Sequence, residues 1–304
     1  MVKRYLLAHN KIVETNIDDC PVLVFISPDD GEKQMLVEKF KIDEHTLQSA
    51  LDPNELSWLE VEPNHLAVIF KRPKNYSAKD QLLFKPTTVG VFAFRRRIII
   101  VLGENLNLFE GKLFNRVASL KQLLLKLIYR SIFHFLEHLK VINMITAELE
   151  TKVNRSMENR YLINLFTLEK SLVYYMDAIN ANGVLLERLK HNAGKIGFAD
   201  DENELIEDIV IENNQCAKQA EIYSSILASL MDARASIVSN NLNILIKILN
   251  IITIALMVPT LIVSIFSMNV GLPMQSLPHA FWLILGLAGV SMAIVLVIWR
   301  ALRI

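Results

Sequence analysis

The sequence lacks most of what a catalytic or nucleic-acid-binding protein needs. Its 304 residues include only two cysteines, Cys20 and Cys216, which form no disulfide framework and suit a reducing compartment or simple burial. Lys and Arg number 32, as do Asp and Glu, so the overall charge indicates no anionic partner such as nucleic acid. The segment GENLNLFEG has neither the lysine nor the spacing of a phosphate-binding loop, and no nucleophile–base set can be identified. We therefore expect neither an enzyme nor an organic cofactor.

Hydrophobic residues, by contrast, are abundant. They make up 52% of the chain, beside 21% charged residues, which is too apolar for a soluble protein and too charged for one lying wholly in a membrane. Two apolar runs, 242–266 and 281–299, are each long enough to cross a bilayer as a helix. Lys247 is the only charge in either run. The sequence thus predicts two transmembrane spans, which make the lipid bilayer a partner.

The charges around these runs predict the orientation of the chain. The linker 267–280 contains no Asp, Glu, Lys or Arg, whereas Arg234 precedes the first span, Lys247 lies near its start, and Arg300 and Arg303 follow the second span. Positive residues favour the cytoplasmic side. We therefore expect an integral protein of the inner or plasma membrane, with both termini in the cytoplasm and the linker outside.

The cytoplasmic part divides in two at about residue 112. Residues 1–112 form a predicted α/β domain, with helices at DGEKQMLVEKFK and EHTLQSALD and with RRR at 95–97 as a solvated turn. The strands are expected at VLVFIS, SWLEVE, HLAVIFKR, TVGVFAFR and IIIVL.

Residues 113–241 show only helical patterns. One helix covers LKQLLLKLIYRSIFHFLEHLKVINMITAELETKV, and a second runs from Asn159 to His191. A third begins near Asp200 and Asp201, whose carboxylates suit a helix N-terminus. Because glycine and proline are absent from it before Pro259, we expect it to continue into the membrane hairpin of residues 242–304, over roughly 100 Å. Such a helix must bundle, within the chain or with copies of it.

The first span carries a polar stripe with heptad spacing. Its members are Asn243, Ile246, Asn250, Thr253, Met257, Thr260, Ser264 and Ser267. Lipid cannot satisfy polar side chains, so the stripe must face protein or water. Since the second span is almost wholly apolar, we expect the stripe to face copies of itself around a wet axis. The alternative is a tight dimer seam of small residues.

The same helix face continues below the span. Asp232, Ser236 and Ser239 lie on it, and a longer extrapolation reaches Glu204 and Asp208. Carboxylates along an axis would attract cations. The alternative is a solvated acidic helix face.

The chain resembles the CorA magnesium channels, the two-span Gly-Met-Asn family, over essentially its full length. The likeness rests on the α/β domain, the two long helices, the very long third helix and the hairpin, with Ser267-Met268-Asn269 and VGLPM between the spans. The stretch LMDARASIVSNNLNILIKILN is also similar to the family's lower pore. The resemblance implies a funnel-shaped homopentamer whose first span lines a pore for Mg²⁺.

The resemblance also implies roles for pore residues. Asn269 would form a ring at the outer mouth and Asn243 a ring near the cytoplasmic end. The hydrophobic constriction would consist of Ile246, Leu249 and Met257. An Asn ring suits Mg²⁺, which sheds water reluctantly, because amides can accept hydrogen bonds from the hydrated ion.

Regulation is implied by the same resemblance. Asp232 matches an acidic position in the cytoplasmic funnel, and Asp208, with Glu204 beside it, matches an aspartate that binds regulatory metal between subunits. The family's second regulatory carboxylate aligns with Ser49, so nearby Asp52 or Glu55 would have to replace it. Two further departures are a signature that begins with serine in place of glycine and an external loop without a carboxylate.

Three functions are compatible with these features. The first is passive uptake of Mg²⁺, together with Co²⁺ and Ni²⁺, gated by cytoplasmic divalent metal. The second is transport of Zn²⁺, with or without proton coupling, favoured by the altered signature and the charge-poor loop. The third is a non-transporting or mechanosensitive membrane scaffold. A separate pair, His134 and His138, has the i, i+4 spacing of a metal site but no identifiable third ligand.

Overall fold

A computed structural model describes residues 1–8, 10–17, 19–77, 80–155, 159–271 and 278–302. The chain forms two compact units, Met1–Met231 and Asp232–Ile304. The predicted fold class is confirmed: an α/β part is followed by long helices and by two apolar helices at the C-terminal end.

The first unit contains a seven-stranded sheet of order β2-β1-β3-β7-β6-β5-β4. Only β3 and β7 pair in parallel; the other neighbours are antiparallel. All five predicted strands are present, as β3 to β7. The strands are β1 (Val2–Ala8), β2 (Lys11–Thr15), β3 (Val22–Ile26), β4 (Trp58–Val61), β5 (His65–Pro73), β6 (Pro86–Phe94) and β7 (Ile98–Leu102).

Tight turns connect several neighbouring strands of this sheet. The RRR segment bends the chain between β6 and β7, where the Phe94 amide donates to the Arg97 carbonyl over 2.7 Å. The β1–β2 hairpin was not predicted. Ala8 pairs with Lys11, and Asn10 adopts a left-handed φ of 62°, which asparagine tolerates better than most residues.

The helices follow the predicted pattern. They are α1 (Asp30–Phe40), α2 (Glu44–Leu51), α3 (Leu120–Arg155), α4 (Asn159–His191), α5 (Ala193–Ile196), α6 (Asp200–Phe266) and α7 (Ala280–Leu302). A short 3₁₀ turn, Lys112–Asn115, precedes α3. The long third helix is confirmed, since α6 runs without interruption for 67 residues and contains Pro259.

Two hydrophobic cores lie on opposite faces of the sheet. Phe25 and Ile69 belong to the core that includes Leu36 of α1. Val24 and Phe70, their neighbours in sequence, belong to the core shared with α3, α4 and the first part of α6. Because successive residues of a strand point to opposite faces, strands covered on both faces read as continuous apolar runs.

The start of α6 is fixed by Glu202. Its carboxylate accepts a hydrogen bond from the Ala199 amide at 3.0 Å and one from the Ser119 hydroxyl at 2.5 Å, and the residue is 5% exposed. The helix therefore begins at Asp200, as the sequence predicted. The side chain that bonds to the preceding backbone, however, is that of Glu202.

Candidate functional site

The polar stripe lies on one exposed side of α6. All eight of its residues are exposed in the single chain; Met257, for example, is 64% exposed and Ile246 is 54% exposed. Leu249, assigned to the constriction by resemblance, is 63% exposed. The structure thus leaves the whole stripe available for contacts outside the chain.

The covered side of the same helix lies opposite the stripe. Within 242–266, the partly or wholly covered positions of α6 are Ile251, Ala255, Val258, Pro259, Ile262 and Phe266, and those of α7 include Ile284, Ala288, Ser291 and Val295. Each set follows one helix face, so we assign these faces to the packing of the hairpin. At 100° per residue the centre of the covered α6 face is about 170° from that of the stripe. The stripe therefore points away from α7.

The threonine hydroxyls of the stripe are oriented by their own helix. Thr253 donates to the Leu249 carbonyl at 2.8 Å, and Thr260 donates to the Leu256 carbonyl at 2.6 Å. A hydroxyl has one donor and two acceptor lone pairs. With the proton committed to the backbone, each of these threonines presents only an acceptor outward. Acceptors are what the water hydrogens around a hydrated cation require.

The signature triplet follows the last turn of α6. Ser267 closes the helix, because its amide donates to the Val263 carbonyl at 3.1 Å and its hydroxyl donates to the Ser264 carbonyl at 2.9 Å. Its φ does not lie in the left-handed region, so serine in place of glycine carries no backbone strain here. Met268 and Asn269 are exposed. Of the following VGLPM segment, residues 272–274 lie outside the described part of the chain.

The three cytoplasmic positions of the stripe face are also exposed. Asp232, Ser236 and Ser239 show high solvent accessibility, and the Ser236 hydroxyl donates to the Asp232 carbonyl at 3.1 Å. Ser236 therefore contacts the backbone of Asp232, and its hydroxyl makes no hydrogen bond to the Asp232 carboxylate.

The proposed regulatory residues are not brought together within one chain. Glu204 and Asp208 are exposed on α6, whereas Asp52 ends α2 and accepts a hydrogen bond from the Asn54 amide at 2.8 Å. Ser49 is buried on α2. Among the described residues no group of three or more His, Cys, Asp or Glu side chains could hold a metal. A shared site would require carboxylates from a second copy.

The histidine pair belongs to a buried polar network. His138 Nδ1 lies 2.6 Å from the Tyr175 hydroxyl, and Arg72 Nε donates to His134 Nδ1 at 3.4 Å. Burial lowers the pKa of His134 to about 3, with smaller contributions from His138, Arg72 and Arg130, and burial lowers that of His138 to about 4. The pair therefore joins helix to sheet, and the described residues supply no third metal ligand.

Sequence reasoning missed one polar feature of the first unit. Lys71 is 3% exposed, although it stands in the strand HLAVIFKR as the first charged residue after an apolar run. Its ammonium donates to the Pro53 carbonyl at 2.7 Å and to the Thr88 hydroxyl at 3.0 Å. A lysine inside a strand buried on both faces was the signal that could have identified it.

Comparison with known proteins places this architecture among metal transporters. The family described as CorA-like Mg²⁺ transporter protein matches residues 23–300. The cobalt/magnesium transport protein CorA of Methanocaldococcus jannaschii is 26% identical over 316 aligned positions, which cover 95% of each chain.

Solved structures agree with the fold over the whole chain. The complete structure of the CorA magnesium transporter from Methanocaldococcus jannaschii superposes with a TM-score of 0.83 at 22% identity and covers 98% of this chain and 96% of that chain. The full-length CmaX protein gives 0.75 at 17% identity, covering 100% and 98%. The cytoplasmic domain of ZntB from Vibrio parahaemolyticus gives 0.60 at 10% identity, covering 78% and 98%.

Proposed function

The chain belongs to the CorA-like Mg²⁺ transporter family, and on that premise we propose that it is a channel for passive uptake of Mg²⁺, and also of Co²⁺ and Ni²⁺, across the membrane that holds α7 and the end of α6. In this proposal both termini are cytoplasmic, and the segment between the two spans faces outward.

The observation that carries this proposal is the position of the polar stripe. It is exposed along α6 and turned about 170° from the face that packs in the hairpin. Lipid cannot satisfy the hydrogen bonds of a polar helix face, so this face must contact protein or water. A homopentamer with α6 innermost and α7 outside would enclose the five stripes around a wet axis and leave apolar α7 against the bilayer.

The chemistry of the stripe suits a hydrated divalent cation. Mg²⁺ keeps its water ligands tightly, so a pore that conducts it should offer acceptors to those waters. Asn243, Asn250 and the two oriented threonines provide neutral oxygens along the stripe, and Asn269 provides an amide at its outer end. Neutral acceptors bind a hydrated ion weakly enough to release it, which conduction requires.

Gating is proposed at two levels. The exposed side chains of Ile246, Leu249 and Met257 would form a hydrophobic constriction that closes by loss of water. Below it, Glu204 and Asp208 of one copy would share a divalent ion with a carboxylate such as Asp52 of a neighbouring copy. That ion would relieve repulsion between acidic stalks and so stabilise the closed, symmetric state.

Metal uptake into proteoliposomes tests the function. We expect uptake of Mg²⁺ and Co²⁺ without a proton gradient. Uptake restricted to Zn²⁺ would support the zinc-transport alternative, and absence of uptake for all ions would support a non-transporting scaffold.

The variant Asn269→Ala tests the role of the outer amide. We expect it to reduce Mg²⁺ uptake to background while native mass spectrometry still counts five subunits, because Asn269 is exposed and supports no packing within the chain. The control is Ser267→Gly, which loses one helix-closing hydrogen bond and should retain uptake. Normal uptake by Asn269→Ala would remove Asn269 from the selectivity mechanism.

A further inference from the structure

A cavity of about 620 Å³ lies in the first unit, at the end of the sheet where β5 ends and β6 begins. Its walls include Lys71, Lys74, Lys85 and Thr87 from these two strands and the residues that join them, with Glu104 after β7 and Asp177 on α4. This volume is typical of small-molecule sites. Three lysines, of which Lys74 and Lys85 are exposed to solvent, thus line a common space together with two acidic residues.

The lysine charges are only partly compensated. Lys74 pairs with Glu104 at 3.3 Å. Within the described parts of the chain, neither Lys71 nor Lys85 has a carboxylate within 4.0 Å, and Asp80 interacts with Lys85 only from a greater distance. Asp177 acts on Lys71 only from a greater distance, as do Asp52 and Glu55; burial is the larger effect, and it lowers the pKa of Lys71. An anion in the cavity would supply the missing negative charge.

Lys71 is held in position for such an anion. Its two hydrogen bonds, to Pro53 and Thr88, use two of the three ammonium donors. Thr88 is fixed in turn because its hydroxyl donates to the Asp52 carbonyl at 2.7 Å. Lys71 lines the cavity, and these two bonds leave its third donor without a partner among the described residues. The buried Lys71 ammonium is held by neutral oxygens and has only distant carboxylates, and an anion in the cavity would compensate its charge at close range.

We propose that this cavity binds the phosphate group of a small phosphate ester, with Lys71 and Lys85 as its cationic contacts. A tetrahedral phosphate accepts several donors at once, and lysine is an established phosphate-binding residue. The cavity is larger than a bare phosphate needs, which favours an esterified molecule over the free ion. The inference rests on the first unit alone and does not depend on the proposed transport function.

Equilibrium dialysis of the full-length protein in detergent tests the proposal, with radiolabelled ATP and inorganic phosphate as probes. EDTA is present so that divalent metal cannot mediate binding. We expect saturable binding that weakens at least about tenfold in Lys85→Gln, because one charge-assisted contact is lost. The matched control, Lys140→Gln, removes an exposed lysine of α3 outside the cavity and should bind as the wild type does.

Comparison of the two probes identifies the source of the phosphate. Tighter binding of ATP supports an ester, whereas binding of inorganic phosphate alone would overturn the ester assignment. Lys71→Met should abolish binding if the variant folds. If Lys71→Met does not fold, the result for Lys85→Gln decides. Absence of binding for both probes, or equal binding by wild type and Lys85→Gln, would overturn the site.

Discussion

Asn182 of α4 shows how one polar side chain joins a helix to the sheet. It is fully buried; its Oδ1 accepts from the Lys71 amide and the Ser57 hydroxyl, both at 2.8 Å, and its Nδ2 donates to the Lys71 carbonyl at 2.8 Å. The β4–β5 pairing ends at Trp58 and Ile69. Beyond the end of β4, the Asn182 side chain therefore supplies the hydrogen-bond partners that another β4 residue would otherwise give to β5.

Replacing this side chain should destabilise the first unit. Asn182→Ala leaves buried donors and acceptors of Lys71 and Ser57 unpaired, and we expect a loss of about 2–4 kcal/mol in the free energy of unfolding. Urea denaturation followed by tryptophan fluorescence measures this. The control Asn180→Ala, at an exposed position of the same helix, should change stability by less than about 0.5 kcal/mol. Equal stability of the two variants would show that Asn182 does not hold α4 to β5.

His134 and His138 predict a dependence of stability on pH. Their folded-state pKa values, about 3 and about 4, lie below the usual 6.5, so the unfolded chain binds protons first as the pH falls. The stability they provide is complete above pH 6.5 and is lost as the pH falls from 6.5 towards these values. At pH 5 the loss is about 2 kcal/mol for each histidine.

Unfolding at pH 7 and pH 5 measures this effect. We expect the difference in unfolding free energy between the two pH values to shrink in the double variant His134→Gln, His138→Gln. It should persist in His191→Gln, which removes an exposed histidine. An unchanged pH dependence in the double variant would assign the acid sensitivity to other groups.

At the scale of elements, α2 lies close against the sheet at Gly90 of β6. A Cβ atom at Gly90 would lie 2.4 Å from the Ala50 Cβ atom, so the helix and strand cannot accommodate a methyl group without moving apart. We expect Gly90→Ala to destabilise the first unit by about 1–3 kcal/mol. Thermal unfolding monitored by circular dichroism measures the change.

Gly31 supplies the matched control for this contact. A Cβ atom there would meet Asp29 Oδ1 at an ordinary 3.5 Å, and Gly31 lies in helix α1, where alanine is favoured over glycine by up to about 1 kcal/mol. Gly31→Ala should therefore be neutral or stabilising. If Gly90→Ala is as stable as Gly31→Ala, α2 does not pack against β6 as described.

The elements that could be predicted from the sequence are those whose local pattern is unambiguous. Strands β3, β5 and β7 are buried throughout and read as apolar runs, and α6 has no breaker before Pro259. The β1–β2 hairpin escaped prediction because its strands are half-exposed and mix polar with apolar residues. The contact of Asn182 with Lys71 joins residues 111 positions apart, and no local pattern encodes it.

The polar stripe, which is the candidate ion pathway, was predictable for a different reason. A polar stripe in an apolar span is visible in the sequence because the membrane penalises it. The sequence could not show that the stripe lies opposite the hairpin face, since this depends on which residues α7 covers. It also could not show that Asp52 stays apart from Glu204 and Asp208 within one chain, because that follows from the packing of the first unit.

At the scale of the whole molecule, the account requires that α6, and not α7, surrounds the ion pathway. The native cysteines make this accessible to experiment, because Cys20 and Cys216 are 1% and 0% exposed and should not react with a water-soluble thiol reagent. A cysteine introduced at a chosen position of the span is then the reactive group. Thr260 on the stripe and Ile262 on the hairpin face lie at similar depth in α6.

The most direct test is modification of Thr260→Cys and Ile262→Cys in proteoliposomes by a membrane-impermeant methanethiosulfonate, with Mg²⁺ uptake as the readout. The account predicts that the reagent modifies Thr260→Cys and blocks uptake, that excess Mg²⁺ slows this reaction, and that Ile262→Cys stays unmodified with uptake intact. Modification of Ile262→Cys with loss of uptake, while Thr260→Cys remains unreactive and active, would contradict it.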